Sequence, residues 1–231
     1  MTGISFDPRQ LIGQALKEHK SRNYAGARLL YQQILDRDPG NADALHLYGC
    51  LCDDEGDIEQ AAKFLTSAVE RNPLAYPYFY NLANVLAKQG ALDEAQRRYT
   101  DAVRLKPDYA MAHHNLGLTL VKKGACAEAR VCFQKVIQLQ PGFAEAHYHL
   151  GLRLMADGDI SGAIASYREA IRCRPDYADA HYNLGNAYAM VQRPADALAA
   201  FQEALRLRPD TAQILTNMGG ELLKLGRVDE A

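Results

Sequence analysis

Two residue types in this chain could ligate a metal or react: five cysteines (Cys50, Cys52, Cys126, Cys132 and Cys173) and seven histidines. His113, His147 and His181 recur every 34 residues. Neighbouring packed helices lie about 10 Å apart, whereas nitrogen ligands sit about 2 Å from zinc, so these three cannot share one ion. They are expected to pack. The cysteines are odd in number and irregularly spaced, and none forms a Cys-x-x-Cys pair, which argues against a disulfide framework or zinc ribbon. Cys50 and Cys52 are two places apart and would not share a helix face. The cysteines read as small, mostly buried apolar groups in a reducing compartment. The acidic run Asp53-Asp54-Glu55 lacks the spacing of a calcium loop and is expected to face solvent. No glycine-rich phosphate loop or nucleophile elbow occurs. The reading is of a non-enzyme with no cofactor and no metal.

A third set recurs with the same period and has a different chemistry. Leu47, Asn81, Asn115, His149, Asn183 and Asn217 occupy one register, four of them carboxamides. A carboxamide offers a donor and an acceptor together, which suits the main chain of an extended peptide and does not select a side-chain sequence. Nearby registers hold Tyr80, Tyr148 and Tyr182, then Asn84 and Asn186, then Lys20, Lys88, Lys122 and Lys224. Tyrosine supplies rigid contact area at low entropic cost.

The elements that must carry these rows follow from the period itself. Prolines stand at 39, 73, 107, 141, 175 and 209, and alanines at 27, 61, 95, 129, 163, 197 and 231. Gly49, Gly117, Gly151, Gly185 and Gly219 form a third ladder, with Ala15 and Ala83 in its gaps. Within the unit 110–143, Leu116, Leu120 and Val121 mark one helix, which Gly124 ends. Ala129, Val131, Phe133, Val136 and Ile137 mark a second, which Pro141 stops. The small ladder residues are placed where paired helices cross closely. Tyr31, Leu65, Tyr99, Phe133, Tyr167 and Phe201 are expected to fill the space between neighbouring units. One hairpin cannot bury both faces, so stability must come from stacking. The expected fold is all-α: a solenoid of antiparallel helix pairs with six full repeats (8–41, 42–75, 76–109, 110–143, 144–177, 178–211) and a partial seventh (212–231). Residues 1–7 read as a leader. Gln192-Arg193-Pro194 replaces a turn glycine in the sixth unit, so that turn is expected to differ. The seventh stops in the first turn of its second helix, which reads as a fragment of something longer.

The pattern resembles the tetratricopeptide repeat, on Tyr182-Asn-Leu-Gly-Asn-Ala-Tyr188 with Ala197, Phe201, Ala204 and Pro209, and the resemblance spans Pro8 to Ala231. It implies a right-handed superhelix whose first helices line a concave groove, with the residue before each Leu-Gly pair pointing into it. The groove would then present Asn81, Asn115, His149, Asn183 and Asn217, flanked by Tyr80, Tyr148, Tyr182, Asn84, Asn186, Lys88 and Lys122. That amide row resembles the inner surface of the repeat region of O-linked N-acetylglucosamine transferases, as does Ala44-Leu-His-Leu-Tyr-Gly49. The family's carboxylate clamp needs converging basic residues, but its places hold Met111, His114, Tyr80, Tyr148, Glu145 and Asp179, so it is excluded. The implied function is a scaffold holding a protein or peptide. The alternatives are the substrate-recruiting region of a larger glycosyltransferase, or self-assembly into a homo-oligomer through the open C-terminal end.

Composition narrows the partners. Twenty-six basic residues against 28 acidic ones leave a net charge of −2, with no basic excess to hold nucleic acid or an anionic membrane. No apolar run reaches the roughly 20 residues of a membrane span, and the N-terminus lacks a signal-peptide layout. A soluble, cytoplasmic protein is expected.

Overall fold

The computed structural model describes residues 7–209, 211–227 and 229. Among these there are thirteen helices and no strand. The chain divides into two compact units, residues 1–124 and 125–231. The first holds α1 (Pro8–Lys20), α2 (Tyr24–Arg37), α3 (Ala42–Asp54), α4 (Ile58–Arg71), α5 (Tyr76–Lys88), α6 (Leu92–Leu105) and α7 (Ala110–Lys122). The second holds α8 (Cys126–Leu139), α9 (Ala144–Ala156), α10 (Ile160–Cys173), α11 (Ala178–Met190), α12 (Pro194–Leu207) and α13 (Ala212–Lys224). Of the expected leader only Asp7 is described. It is a helix cap, its side chain accepting from Arg9 N at 2.9 Å. Residues 1–6 and the final ladder alanine, Ala231, lie outside the described residues.

The turn that follows each odd-numbered helix contains one residue in the left-handed region. Five are glycines, from Gly56 (φ 84°) to Gly226 (φ 73°), and two are not: Arg22 (φ 60°) and Gln192 (φ 56°). The sixth-unit turn therefore keeps the backbone hand of the others, contrary to expectation. Gln192 adopts at a steric cost what glycine adopts freely.

Local hydrogen bonding then sets the helix starts unequally. Asn23, Asp57 and Asp159 cap α2, α4 and α10 by accepting from Gly26, Gln60 and Gly162 N–H groups. Ala91, Ala125 and Arg193 stand in the same register before α6, α8 and α12 and make no side-chain cap.

Close approach explains the glycine ladder. A Cβ on Gly151 would lie 2.6 Å from Cε1 of Tyr167, and one on Gly185 would lie 2.5 Å from Cε1 of Phe201. Gly49 bears the same relation to Leu65, at 2.7 Å. These bulky residues thus sit at the crossing inside their own hairpin, where the expectation had them between units. With Tyr31 and Phe133, they are among the largest fully buried side chains, each at most 1 % exposed.

In the first unit one core runs through Tyr31, Tyr48, Leu51, Leu65, Phe79, Leu82 and Val85. In the second, Tyr167, Leu184, Tyr188, Phe201 and Ile214 form another. Within each unit every helix packs on the next in sequence, and α1–α3, α3–α5, α5–α7 and α11–α13 also touch.

The periodic histidines pack as expected, through a specific bond. His113, His147 and His181 place Nε2 at 3.0, 2.9 and 2.9 Å from the carbonyls of Pro107, Pro141 and Pro175. A carbonyl only accepts, so each Nε2 carries the hydrogen. The ring ties the loop that the proline creates to the start of the next helix.

Candidate functional site

The carboxamide row lies on the odd-numbered helices, half-buried, and its nitrogens are engaged within the protein. Asn115 (α7) donates through Nδ2 to Oη of Tyr80 at 3.2 Å and to Oδ1 of Asn84 at 2.9 Å, both on α5. Asn217 (α13) repeats this with Tyr182 and Asn186 on α11, at 3.2 and 2.9 Å. Asn183 (α11) donates to Oη of Tyr148 on α9 at 3.2 Å and to the Asp179 carbonyl at 2.9 Å. Asn81 (α5) meets a different pair on α3, His46 Nε2 at 2.8 Å and Cys50 Sγ at 3.3 Å.

Apart from the Asn183 bond to the Asp179 carbonyl within α11, each such bond joins one odd-numbered helix to the preceding odd-numbered one, over sequence separations of 35 and 31. The same side chains still present unengaged groups. Among the described residues, Oδ1 of Asn115, Asn183 and Asn217 makes no hydrogen bond, and neither does Nδ2 of Asn84 or Asn186. The row is therefore pre-oriented by one set of bonds while offering acceptors and donors through the other.

The tyrosines are walls as well as partners. Tyr80 packs against Tyr109 and Tyr99 with ring centroids 4.9 and 6.1 Å apart. Tyr148 does the same with Tyr177 and Tyr167, at 4.9 and 6.1 Å. Tyr182 lies 5.9 Å from Phe201. His149 stacks on Phe133 at 5.2 Å and meets Tyr148 edge-on.

Of the lysines expected on this face, Lys88 is held by Asp53, with Nζ 2.6 and 2.7 Å from its two carboxylate oxygens. Lys122 is exposed. Asp53-Asp54-Glu55 lies at the surface as expected, with Asp54 and Glu55 exposed, and each of the three has a side-chain partner. Asp54 meets His19 at 2.9 Å and Glu55 meets Arg28. Three neighbouring elements thus neutralise an acidic helix end that the helix dipole alone would disfavour. The places of the excluded clamp are likewise closed: Glu145 pairs with Arg174, and Asp179 with Arg208 at 2.6 Å.

Cys50, His46 and Asn81 form the most chemically mixed cluster. Asn81 is a donor, so Nε2 of His46 is the acceptor and the ring is neutral. Burial lowers the His46 pKa to about 4, only partly offset by Asp43. Burial likewise pushes the Cys50 thiol up to about 12, with Asp54 and Asp53 adding to it. A neutral thiol beside a neutral imidazole is the opposite of an activated pair. Among the described residues no three His, Cys, Asp or Glu side chains are placed to hold a metal ion. No described helix is long and apolar enough to cross a membrane.

Two features of this face escaped sequence reasoning. The engagement of each asparagine with the preceding odd-numbered helix was readable as the constant offsets 35 and 31, that is, one period plus or minus a few residues. Glu221 was the other. Its register holds Lys17, Leu51, Val85, Thr119, Arg153 and Ala187 in the other units, and it is 5 % exposed. Its charge is in the sequence, but its burial is not, since Lys17 and Arg153 in the same register are not buried.

Paired helices of constant length, crossing at glycine and bonded rung to rung by carboxamides, define a helical-repeat scaffold. The sequence comparisons name the repeat. A TPR repeat model matches residues 83–124 and 151–192, and tetratricopeptide repeat models match 18–86, 110–143 and 178–211. The chain is built from tetratricopeptide repeats. No curated protein matches its sequence at a significant level.

Among solved structures it is similar to PilF of Pseudomonas aeruginosa, at 18 % identity over 94 % of this chain and 97 % of that one, with a TM-score of 0.78. It is also similar to YrrB, described as a TPR protein with an unusual peptide-binding site, at 24 % identity over 80 % and 96 %, TM-score 0.71. A third is MamA of Desulfovibrio magneticus RS-1, at 22 % over 74 % and 97 %, TM-score 0.68. At these identities the likeness establishes the fold.

Proposed function

We propose that the chain is a protein-interaction scaffold that holds an extended segment of a partner polypeptide against the carboxamide and tyrosine rows of its odd-numbered helices. The observation that carries this reading is the division of labour in each rung. Asn115 and Asn217 are fixed through Nδ2 and keep Oδ1 open, while Asn84 and Asn186 are fixed through Oδ1 and keep Nδ2 open. A peptide main chain presents the complementary N–H and C=O groups, and rigid partners for them lower the ordering cost of binding. In the first unit Tyr80 and Asn81 extend this surface, with Lys88 and Lys122 at its edge, and in the second Tyr148, His149, Tyr182 and Asn183 do so. YrrB, which shares the fold, is described as binding peptide, in keeping with this use of the scaffold.

Asn84→Asp and Asn186→Asp test it. Both keep the oxygen that accepts from the neighbouring asparagine and remove the open amide donor. Capture of partners from a lysate of the source cells is compared between the wild type and the double variant, with thermal unfolding as the control for folding. Partners lost at unchanged stability support the reading. An unchanged partner set sinks it.

A second reading, self-association through α13, is favoured by the exposure of Leu215 (52 %) and Leu223 (57 %). Light scattering over a concentration series decides it, since a monomer at every concentration excludes it. The substrate-recruiting reading rests on the carboxamide row alone, and a catalytic domain in the parent reading frame would be needed to favour it.

A further inference from the structure

Between α11 and α13 lies a cleft of about 360 Å³ with an unusual wall. Its floor is Phe201, Ala189 and Met190, and its polar lining is Asn186, Asn217, Glu221 and Lys224. Glu221 is 5 % exposed, and its Oε2 is fully buried without a hydrogen-bond partner. Its other oxygen accepts from Lys224 Nζ at 2.6 Å, and the Lys224 side chain is itself 57 % exposed. A buried carboxylate with one oxygen unsatisfied is costly to keep unless something binds it. Oδ1 of Asn217 and Nδ2 of Asn186 are open at the same cleft, beside the carboxylate.

We propose that this cleft is a side-chain pocket for a basic residue, Lys or Arg, of the polypeptide held on the carboxamide row. The inference rests on the interaction reading above. The ligand's ammonium or guanidinium group takes the place of Lys224 Nζ at the Glu221 carboxylate and donates a second hydrogen to Oδ1 of Asn217. Its aliphatic stem lies over Ala189, Met190 and Phe201, as long cationic side chains lie on apolar surface with the charge at the tip. Lys224 plays the ligand's part in the free protein, reaching the same carboxylate from solvent over three residues of one helix. A backbone-reading row cannot choose among sequences. A single buried carboxylate beside it adds that choice, because a ligand lacking the cation leaves the oxygen unpaired.

The test uses the whole chain and short labelled Ala/Ser peptides that differ at one central residue: lysine, arginine, norleucine or glutamate. Binding is read by fluorescence anisotropy. The wild type is expected to bind the lysine and arginine peptides about tenfold more tightly than norleucine, the scale of one charge-assisted hydrogen bond, and glutamate least. Glu221→Gln, which keeps the shape and removes the charge, erases that preference. Lys224→Met removes the internal competitor and raises affinity for the lysine peptide severalfold, which a merely structural role for Glu221 would not produce. Equal binding of lysine and norleucine peptides by the wild type overturns the pocket and leaves the scaffold reading intact. So does an unaltered preference in Glu221→Gln. Absence of binding by every peptide overturns both. Should Glu221→Gln fail to fold, the Lys224→Met result stands by itself, and no gain there overturns the pocket.

Discussion

The side-chain nitrogen of Asn217 lies 2.9 Å from the side-chain oxygen of Asn186, so one asparagine holds another in place while each keeps its other polar atom open. The same relation joins Asn115 to Asn84 in the first unit. These side chains are therefore structural and presentable at once, and the two roles separate by which atom is altered.

Asn115→Ala removes two hydrogen bonds from a half-buried site and is expected to cost about 1–2 kcal/mol. Asn84→Asp keeps both bonds that its Oδ1 accepts, from Asn115 and from Tyr99, and is expected to stay within about 0.5 kcal/mol of the wild type. Urea midpoints of the two variants check this. Equal losses would mean that the bonds do not stabilise the stack.

Three tyrosines share one register and differ in one neighbour. Tyr99 Oη donates to Asn84 at 2.6 Å. Tyr31 and Tyr167 have buried hydroxyls with no partner, because Leu16 and Leu152 stand where Asn84 stands. Tyr99→Phe should destabilise by about 1 kcal/mol, whereas Tyr31→Phe and Tyr167→Phe should be neutral or slightly stabilising. Chemical denaturation of the three variants gives the comparison directly.

Helix ends offer two gains in stability. Ala91→Asp supplies α6 with the cap that Asp57 gives α4, worth about 1 kcal/mol. Gln192→Gly relieves a left-handed residue, φ 56°, by a similar roughly 1 kcal/mol. Either should raise the urea midpoint. A fall on Gln192→Gly would show that the side chain contributes more than the backbone strain removes.

Acid sensitivity has an identifiable source in the first unit. His46 has its pKa lowered to about 4 by burial, against Asp43, while Cys50, Asn81 and the stacked Tyr78 ring enclose it. Below its ordinary value near 6.5 the unfolded chain takes up a proton that the folded one refuses. Its contribution is thus complete above about pH 6.5 and lost as pH falls towards 4, by up to about 3 kcal/mol. Unfolding free energies measured between pH 7 and pH 4 should show this slope, and His46→Gln should flatten it. An unchanged slope would place the acid sensitivity elsewhere.

How much of this was legible beforehand follows from the period. The proline, alanine and glycine ladders at a spacing of 34 determined the helices, their turns and the all-α repeat class, since each acts through local backbone sterics that a sequence displays. The carboxamide and tyrosine rows were visible for the same reason. Which atoms of those rows remain open was decided only by the packed structure, because Nδ2 and Oδ1 of one asparagine are told apart only by what the adjacent helix brings to them. The pairing of Asp53, Asp54 and Glu55 with Lys88, His19 and Arg28 needed three elements brought together in space. The placement of Tyr167 against Gly151 inside one hairpin needed the crossing geometry. The charge of Glu221 was in the sequence from the start. Its burial, and so its open oxygen, arises only when α13 packs against α11 and α12.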